Sequence, residues 1–292
     1  MYSQIDSNKR KSVVLMILFI AILLGIGYVF DIAMGGNGFQ GTWIAIIISL
    51  LLTAVSYFAG DRLALHASGA KPILKKDNRY FYNMVENLCI TAGLPMPKLY
   101  IMEDSAINAF ATGRNPKFAS IAVTRGAIEK LENEELEGVL AHELSHIGNY
   151  DIRFMTLVAV MVGAIAMLSN FFLRMNLFRS KDRGNNQLAV LFMFVGIVLA
   201  LISPVVAELI KLSISRKREY LADASGSLLT RYPEGLARAL EKIRDDNVPL
   251  KKASTATAHL FIASPFSGKK VNRYFSTHPP IEDRVKELRL MA

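Results

Sequence analysis

Residues 12–30 read SVVLMILFIAILLGIGYVF, a stretch without a charged side chain. A helix needs about 20 apolar residues to cross the hydrocarbon core of a bilayer, and this run is of that length. Its apolar core is too long for a secretory signal peptide, and no small-x-small cleavage site follows it. The stretch therefore predicts a retained membrane anchor, which decides the class of fold.

Three further uncharged runs follow along the chain. They are centred on Trp43–Ala59, Phe154–Leu173 and Leu188–Ala207. The chain of 292 residues is 52% hydrophobic, a larger share than soluble domains usually have. We therefore predict a predominantly α-helical membrane protein with four candidate transmembrane helices embedded in a lipid bilayer.

The formal net charge of +9 is distributed in a way that predicts a topology. Lys9, Arg10 and Lys11 precede the first run, basic residues follow the second, and the link at 31–41 has neither Lys nor Arg. Because cytoplasmic flanks carry an excess of Lys and Arg, both ends of this hairpin are predicted to face the cytoplasm. No basic–aromatic platform is visible, which argues against nucleic acid as a partner.

The second pair of runs does not follow the same rule. The link between the two runs contains four basic residues, Arg174, Arg179, Lys181 and Arg183. The segments that flank the pair on its outer sides are basic as well. Either both runs span and a basic loop lies outside, or they form a hairpin that only partly penetrates the bilayer. We expect four spanning helices.

The runs divide the chain into four segments. Residues 1–60 are predicted to form an N-terminal transmembrane hairpin and 154–207 a second one. Residues 61–153 and 208–292 are predicted to be the two halves of one polar domain. An even number of crossings between them puts both halves on the cytoplasmic side, so one site can draw residues from both.

The first polar half contains LAHELSHIGNYD at residues 140–151. An amphipathic helix is predicted around it, with Asn133 as a suitable N-cap and Gly148 as a suitable end. Apolar residues recur at helical spacing and are predicted to form its buried face: Leu136, Val139, Leu140, Leu144 and Ile147.

His142 and His146 lie one turn apart on this helix, so both imidazoles project from one face. They can close on one Zn²⁺, and the carboxylate of Glu143 is placed to act as a base. Cys89 is the only cysteine, so a metal site here must use His, Asp or Glu. The alternative is a chance occurrence of three polar residues on a helix.

A catalytic zinc needs a third protein ligand, and SRKREYLADASG at 215–226 offers one. Glu219 and Asp223 are four residues apart and share a helix face. Glu219 is a candidate ligand, and Asp223 is a candidate acceptor for the other ring nitrogen of a ligating histidine. Alternatively, both carboxylates screen the basic side chains of 216–218 on a solvated surface.

Four motifs occur together and in a characteristic order. They are NAFATG at 108–113, HELSHIGNYD at 142–151, REYLADASG at 218–226 and STHPPIEDR at 276–284. With the alternation of apolar runs, they resemble the HtpX-type membrane zinc endopeptidases, which are distant relatives of the CAAX prenyl endoproteases. The resemblance covers nearly the whole chain.

This resemblance implies roles for individual residues. His142, His146 and Glu219 match the ligands of one Zn²⁺ per chain, Glu143 matches the catalytic base, and Asp223 matches the acidic residue four after the third ligand. It also implies a cytoplasmic α+β zinc-metalloprotease domain of gluzincin type that contains a small edge-strand hairpin.

The motif at 108–113 has a second interpretation. By the resemblance, Asn108, Ala109, Phe110 and Ala111 lie on an edge strand that pairs with an extended substrate, with SIAVT at 120–124 as its partner strand. Without the resemblance, an ordinary core hairpin is equally compatible with the pattern.

His278 and the remaining histidines are treated separately. The resemblance places His278 near the zinc as a candidate catalytic residue that donates to the oxyanion, whereas its position before two prolines is also typical of a structural loop. His66 and His259 are expected to be structural.

The resemblance implies zinc-dependent endopeptidase activity in the bacterial inner membrane, with the active site facing the cytoplasm. The implied substrates are damaged or misfolded membrane proteins and other unfolded proteins, and an ATP-dependent membrane protease is an implied partner. Two alternatives remain: a narrow-specificity processing protease of the CAAX type, and a non-catalytic assembly factor stapled by zinc.

Overall fold

A computed structural model describes residues 2–33, 39–179, 193–201, 216–246, 248–266 and 279–291. Three of its helices are long and apolar enough to cross a membrane, with candidate spans at Ile5–Ile32, Gln40–Ala67 and Asp151–Arg174. They belong to helices α1 (Tyr2–Ala33), α2 (Gln40–Ala67) and α6 (Asp151–Arg179). Of the fourth run only a helix at 193–201 (α7) is described, so its crossing lies outside the described residues. Arg174 and Arg179 of the basic link belong to helix α6, and residues 180–192, with Lys181 and Arg183, lie outside the described residues.

The membrane helices pack through apolar side chains and one polar clamp. Leu15, Phe19 and Leu23 of α1 lie in one buried cluster with residues of α6 and α7. Asp31, at the end of α1, accepts hydrogen bonds from the backbone N–H groups of Gly41 (2.6 Å) and Thr42 (2.8 Å). These hydrogen bonds hold the start of α2 against α1, and they satisfy backbone N–H donors that have no partner inside the helix.

A small mixed sheet forms the β part of the polar domain. Its strands are β1 (Ala70–Pro72), β2 (Lys98–Met102), β3 (Ala109–Gly113) and β4 (Ala119–Thr124), in the spatial order β1-β2-β4-β3. β3 and β4 are antiparallel with Phe110 opposite Ala122, whereas β2 and β4 are parallel. The predicted hairpin is therefore confirmed, and β3 is one of the two edge strands, with β1 at the opposite edge.

The motif helix α5 runs from Asn133 to Gly148 and ends at the predicted residue. The five apolar residues predicted for its inner face are all buried in the main core. The predicted N-cap was wrong by one residue, because Glu132 is the N-cap. The backbone N–H of Glu132 donates a 2.8 Å hydrogen bond to the side chain of Glu135. A carboxylate satisfies free N–H groups and favours the positive end of the helix dipole, so this capping box replaces Asn133.

The rest of the polar domain is helical. The remaining helices are α3 (Arg79–Ala92), α4 (Arg125–Lys130), α8 (Arg216–Thr230), α9 (Pro233–Asp246) and α10 (Ile281–Arg289). α5 packs against α8 and α9, and it leads into the membrane helix α6 through Asn149 and Tyr150, whose φ is +61°. Because the connection is so short, the last turn of α5 lies next to the first turn of α6.

Candidate metal centre

His142, His146 and Glu219 meet in the interior between α5 and α8. The Nε2 atoms of the two histidines are 3.1 Å apart. Glu219 places Oε2 3.9 Å from Nε2 of His142 and Oε1 3.7 Å from Nε2 of His146. Ligand atoms held about 2.0–2.1 Å from a tetrahedral metal ion lie about 3.3 Å from one another, so this group has the dimensions of a mononuclear site.

A carboxylate orients each histidine from behind. Nδ1 of His142 lies 2.9 Å from Oδ1 of Asp223, and Nδ1 of His146 lies 3.1 Å from Oδ2 of Asp151. A neutral imidazole that donates its Nδ1–H presents a lone pair at Nε2. Both lone pairs then point into the space shared with Glu219, which is the orientation that a metal ligand needs.

The donor set and its charge fit a divalent cation. Two imidazole lone pairs 3.1 Å apart repel each other unless a positive charge lies between them. Four carboxylates and two guanidinium groups are buried around the histidines, so their net charge is −2 when all are ionised. These residues are Glu143, Glu219, Asp151, Asp223, Arg218 and Arg284. Burying such an excess is costly without a compensating cation.

Burial and neighbouring charges set the protonation of the histidines. Burial lowers the pKa of His142 to about 4, although its bond to Asp223 opposes this. Burial also disfavours the charged form of His146, but the bond to Asp151 and the charge of Glu219 outweigh it and raise the pKa of His146 to about 9. The carboxylates around His146 therefore favour a positive charge at this point.

Glu143 lies beside the ligand group without belonging to it. The side chain is buried, and within the described part of the chain no donor reaches its Oε1. Burial raises the pKa of Glu143 to about 7, against the opposing effect of His146, and the backbone N–H of Ala111 also interacts with the carboxylate. A carboxyl group with a pKa near neutrality can both accept and release a proton at the pH of a cell.

Arg284 of α10 supports the group from a third element. It is completely buried and donates to both oxygens of Asp223, from Nε at 2.9 Å and from Nη2 at 2.7 Å. Its Nη1 donates to the carbonyl of Ile262 at 3.2 Å. Burial raises the pKa of Asp223, but Arg284 and His142 outweigh it and lower that pKa, so Asp223 stays an acceptor.

A close helix crossing brings α8 to the histidines. A Cβ atom on Gly226 would lie 3.0 Å from the backbone nitrogen of His142. A Cβ atom at this distance would be a tight contact with helix backbone, so glycine eases the close approach of α8 to α5. On the same helix, Glu219 and Asp223 are buried, in agreement with a shared inward face rather than a solvated one.

Asp151 is held by the first membrane helix. Nδ2 of Asn8, on α1, donates to Oδ1 of Asp151 at 2.7 Å and to the carbonyl of Asn149 at 2.9 Å. Nη1 of Arg218 lies 3.4 Å from the same carboxylate oxygen. Asn8 is buried although it lies near the start of the chain.

Sequence reasoning gave no role to three residues that complete the centre. Asp151 and Arg284 are the last residues of two quoted motifs, HELSHIGNYD and STHPPIEDR, which was an available signal. Asn8 lies in no motif, and only the packing of α1 against the start of α6 reveals it.

The predicted substrate-binding residues lie on and next to the edge strand. Asn108 is buried; its Nδ2 donates to the carbonyl of Ala263 and its Oδ1 accepts from the backbone N–H of Ala109. The outer side of β3 is covered at Phe110 by Phe261, and Ile262 donates to the carbonyl of Ala109 at 2.9 Å. Ala111 is the point at which the strand faces Glu143.

The other histidines differ in what the structure says of them. His278 lies outside the described residues, so its role stays a prediction. His259 is buried, with Nε2 2.9 Å from the carbonyl oxygen of Met155, which is a structural contact between the polar domain and α6.

Comparison with known proteins gives concordant results. The model of the family "Peptidase family M48" matches residues 75–292. A "Protease HtpX homolog" from Dictyoglomus turgidum is 42% identical over 295 residues, covering 100% of this chain and 95% of the relative. Another from Tropheryma whipplei is 43% identical over 293 residues, covering 100% and 99%.

A solved structure shares the fold. The crystal structure of Ste24p from S. mikatae superposes with a TM-score of 0.50 at 18% sequence identity. The match covers 99% of this chain and 67% of that one.

Proposed function

Because the chain belongs to peptidase family M48, as an HtpX-type membrane metalloprotease, we propose that it is a zinc endopeptidase whose zinc is held by His142, His146 and Glu219. The observation that carries the proposal is the buried group of these three ligands beside Oε1 of Glu143, which has no hydrogen-bond partner among the residues that the structure describes. Imidazole and carboxylate ligands in a three-residue set suit zinc best.

The three protein ligands would leave one coordination position of the metal ion open for water or substrate. Among the described residues, the buried group that could hold a metal consists of three side chains, and a tetrahedral ion has four positions. When bound, zinc supplies Lewis acidity, which polarises a peptide carbonyl and makes water a stronger acid. Asp223 and Asp151 orient the two imidazoles, so the ligand atoms require little rearrangement when the ion binds.

Glu143 is the proposed general base and acid. Its free Oε1 takes a proton as water attacks the peptide carbonyl, and the same oxygen then delivers the proton to the leaving amine. Burial raises the pKa of this carboxyl group, which makes the carboxylate a stronger base, whereas a bound cation would lower that pKa and ease release of the proton. His278 is the proposed donor to the oxyanion, as the resemblance implies.

We propose that the substrate backbone approaches β3 at Ala111. The backbone of this residue faces Glu143, so a paired peptide would place a bond next to the base. Pairing through the main chain gives affinity without demanding a sequence. Ala109 and Phe110 support this edge from within the fold, since Ile262 and Phe261 cover their outer side, and Asn108 donates to the carbonyl of Ala263.

The proposed substrates are damaged or misfolded membrane proteins, cleaved at the cytoplasmic face of the bacterial inner membrane, alongside an ATP-dependent membrane protease. The positive flanks of the first hairpin support the orientation. Asn8 near the start of α1 contacts Asp151 of the metal centre, which supports a site on the same side as the N-terminus. The four-segment organisation at 1–60, 61–153, 154–207 and 208–292 is part of this proposal.

The test compares wild type with Glu143→Gln. Both are purified at full length in detergent, stripped with a chelator and resupplied with zinc, and cleavage of an unfolded protein is followed. Wild type is expected to cleave only with zinc. Glu143→Gln is expected to bind zinc and lose at least about 100-fold in rate, because an amide cannot accept the proton.

Glu134→Gln is the matched control, since Glu134 is exposed on the same helix; it should cleave as wild type does. Cleavage by Glu143→Gln at the wild-type rate would remove Glu143 from its role. Zinc binding without cleavage by wild type would favour the structural staple, and cleavage of one defined peptide with unfolded proteins left intact would favour the processing protease.

A further inference from the structure

A cationic cavity lies beyond the apolar run of α2, next to the first residues of strands β2 and β4. It has a volume of about 270 Å³, and its walls include Phe58, Asp61, Arg62, Lys98, Arg114 and Lys117. Four of these side chains are positive and one is negative. They come from α2, from the start of β2 and from the connection between β3 and β4, so the fold itself gathers the charge at this point.

What is unusual about these four cations is that they line one cavity and have no carboxylate partner among the described residues, whereas several other surface cations of the polar domain are paired. Elsewhere Lys75 pairs with Glu86, Arg125 with Glu103, and Lys130 with Asp246. By contrast, no carboxylate of the described ranges forms an ion pair with Arg62, Lys98, Arg114 or Lys117. Four like charges around one cavity repel one another, and an anion inside it relieves that repulsion.

Arg114 is the best-placed of the four. Its guanidinium carbon lies 3.9 Å from the ring centre of Phe118 and 5.3 Å from that of Phe58. The backbone carbonyl of Arg114 accepts a 2.7 Å hydrogen bond from Nε of Arg153, which holds this turn in place. A guanidinium stacked on aromatic rings keeps its N–H edge available for a phosphate.

An exposed apolar stripe on α2 leads directly into the cavity. Leu51, Val55 and Phe58 are 62%, 39% and 63% exposed and follow one another at helical spacing, with Arg62 one turn further on. The stripe lies within a candidate membrane span, and Arg62 lies just past the apolar run. A ligand that occupies both the cationic cavity and the apolar stripe needs an anionic head and apolar tails.

We propose that this cavity binds the headgroup phosphate of an anionic phospholipid, with the acyl chains along the Leu51–Val55–Phe58 face of α2. Basic pockets next to transmembrane helices recognise anionic headgroups in this way. Inorganic phosphate shares the head chemistry, but it makes no use of the apolar stripe. The site is separate from the metal centre and needs no proteolytic activity to be tested.

The experiment measures lipid binding to the purified full-length protein by native mass spectrometry in detergent. Wild type is titrated with phosphatidylglycerol, with phosphatidylcholine, and with inorganic phosphate. We expect the first phosphatidylglycerol to bind at least about ten-fold more tightly than phosphatidylcholine. Arg114→Gln with Lys117→Gln should bind phosphatidylglycerol about 25-fold more weakly, at about five-fold per cation removed, so a ten-fold preference would be lost.

Arg125→Gln with Lys130→Gln is the matched control, because it makes the same change of net charge on α4 of the polar domain and should keep the preference. Lys117→Gln alone, at an exposed position, serves if the double variant does not fold, and should lose about five-fold. Equal binding of the two lipids, or a preference that survives the cavity substitutions, overturns the proposal. Phosphate that binds as tightly as phosphatidylglycerol assigns the cavity to a free anion instead.

Discussion

Arg284 is the residue whose loss should disturb the buried charge of the centre most. Its two bonds to Asp223 are the only described cationic contacts that this carboxylate has besides His142. Arg284→Met keeps much of the volume but leaves Asp223 buried beside a ligand without its cation. Removing one partner of a buried pair costs about 3–5 kcal/mol, so we expect a clearly lower thermal midpoint of the detergent-solubilised protein, measured with and without zinc.

The control is Arg289→Met on the same helix. Arg289 is exposed and pairs with Glu234 and Glu241 at the surface, where solvent screens the interaction. Its substitution should leave the midpoint nearly unchanged. Equal changes of the thermal midpoint in the two variants would mean that the buried Arg284–Asp223 pair stabilises the protein no more than the exposed pairs of Arg289 do.

At this scale the sequence was most informative about the motif residues. His142, Glu143 and His146 follow from spacing on one helix, and Glu219 from the need for a third ligand. The roles of Asp151 and Arg284 depend on side chains that meet across elements, and neither has a spacing rule that links it to a histidine. Asn133 was predicted as the N-cap from propensity, whereas the neighbouring pair Glu132 and Glu135 forms the capping box.

At the scale of elements, the crossing of α5 and α8 sets where Glu219 and Asp223 lie. Gly226→Ala would place a Cβ atom 3.0 Å from the backbone nitrogen of His142. The neighbour is backbone of a packed helix, so α8 has to move outward, and overpacking of this kind costs about 1–3 kcal/mol. We expect a lower thermal midpoint and weaker zinc binding, measured by competition with a chelator.

Gly148→Ala is the matched control, because the nearest atom to its Cβ would be 3.6 Å away, on a leucine side chain. It should leave both zinc binding and the midpoint nearly unchanged. Unaltered zinc affinity in Gly226→Ala would show that the crossing tolerates a methyl group and does not control the ligand position.

Element types were predictable where the pattern was strong, and less so elsewhere. The apolar runs at α1, α2 and α6 and the β3–β4 hairpin follow from composition and turn residues. The parallel pairing of β2 with β4 was not predicted, because it joins segments with β3 between them and depends on tertiary packing. The covering of β3 by Phe261 and Ile262 is a contact of the same long-range kind.

At the scale of the whole molecule, Asn8 links a membrane helix to the metal centre through Asp151. Asn8→Ala would leave this carboxylate without its 2.7 Å donor. Loss of a partner that orients a ligating histidine typically weakens metal affinity about 10- to 100-fold. Asn8→Ala keeps Asp151 and its contact with Arg218, so we expect a smaller loss, of up to about ten-fold, for the full-length protein, measured by chelator competition. Asn8→Asp, which puts two carboxylates together, should lose more.

Ser12→Ala is the control, since Ser12 is buried one turn along α1 and its hydroxyl donates to the carbonyl of Asn8 within the same helix. It should retain zinc as wild type does. Equal loss in Asn8→Ala and Ser12→Ala would assign the effect to general loosening of α1 rather than to the position of Asp151.

The sequence alone determined the membrane class, the helix that carries HELSH and the candidate ligand types, because these depend on local periodicity and on residue chemistry. Only the tertiary structure decided that Asn8, Asp151, Asp223 and Arg284 form one buried network around the histidines. It also gathered the cations of three elements into one cavity at the end of α2. Both arrangements come from side chains far apart in the chain, and burial makes their polar contacts obligatory, since an unpaired charge in the interior is costly.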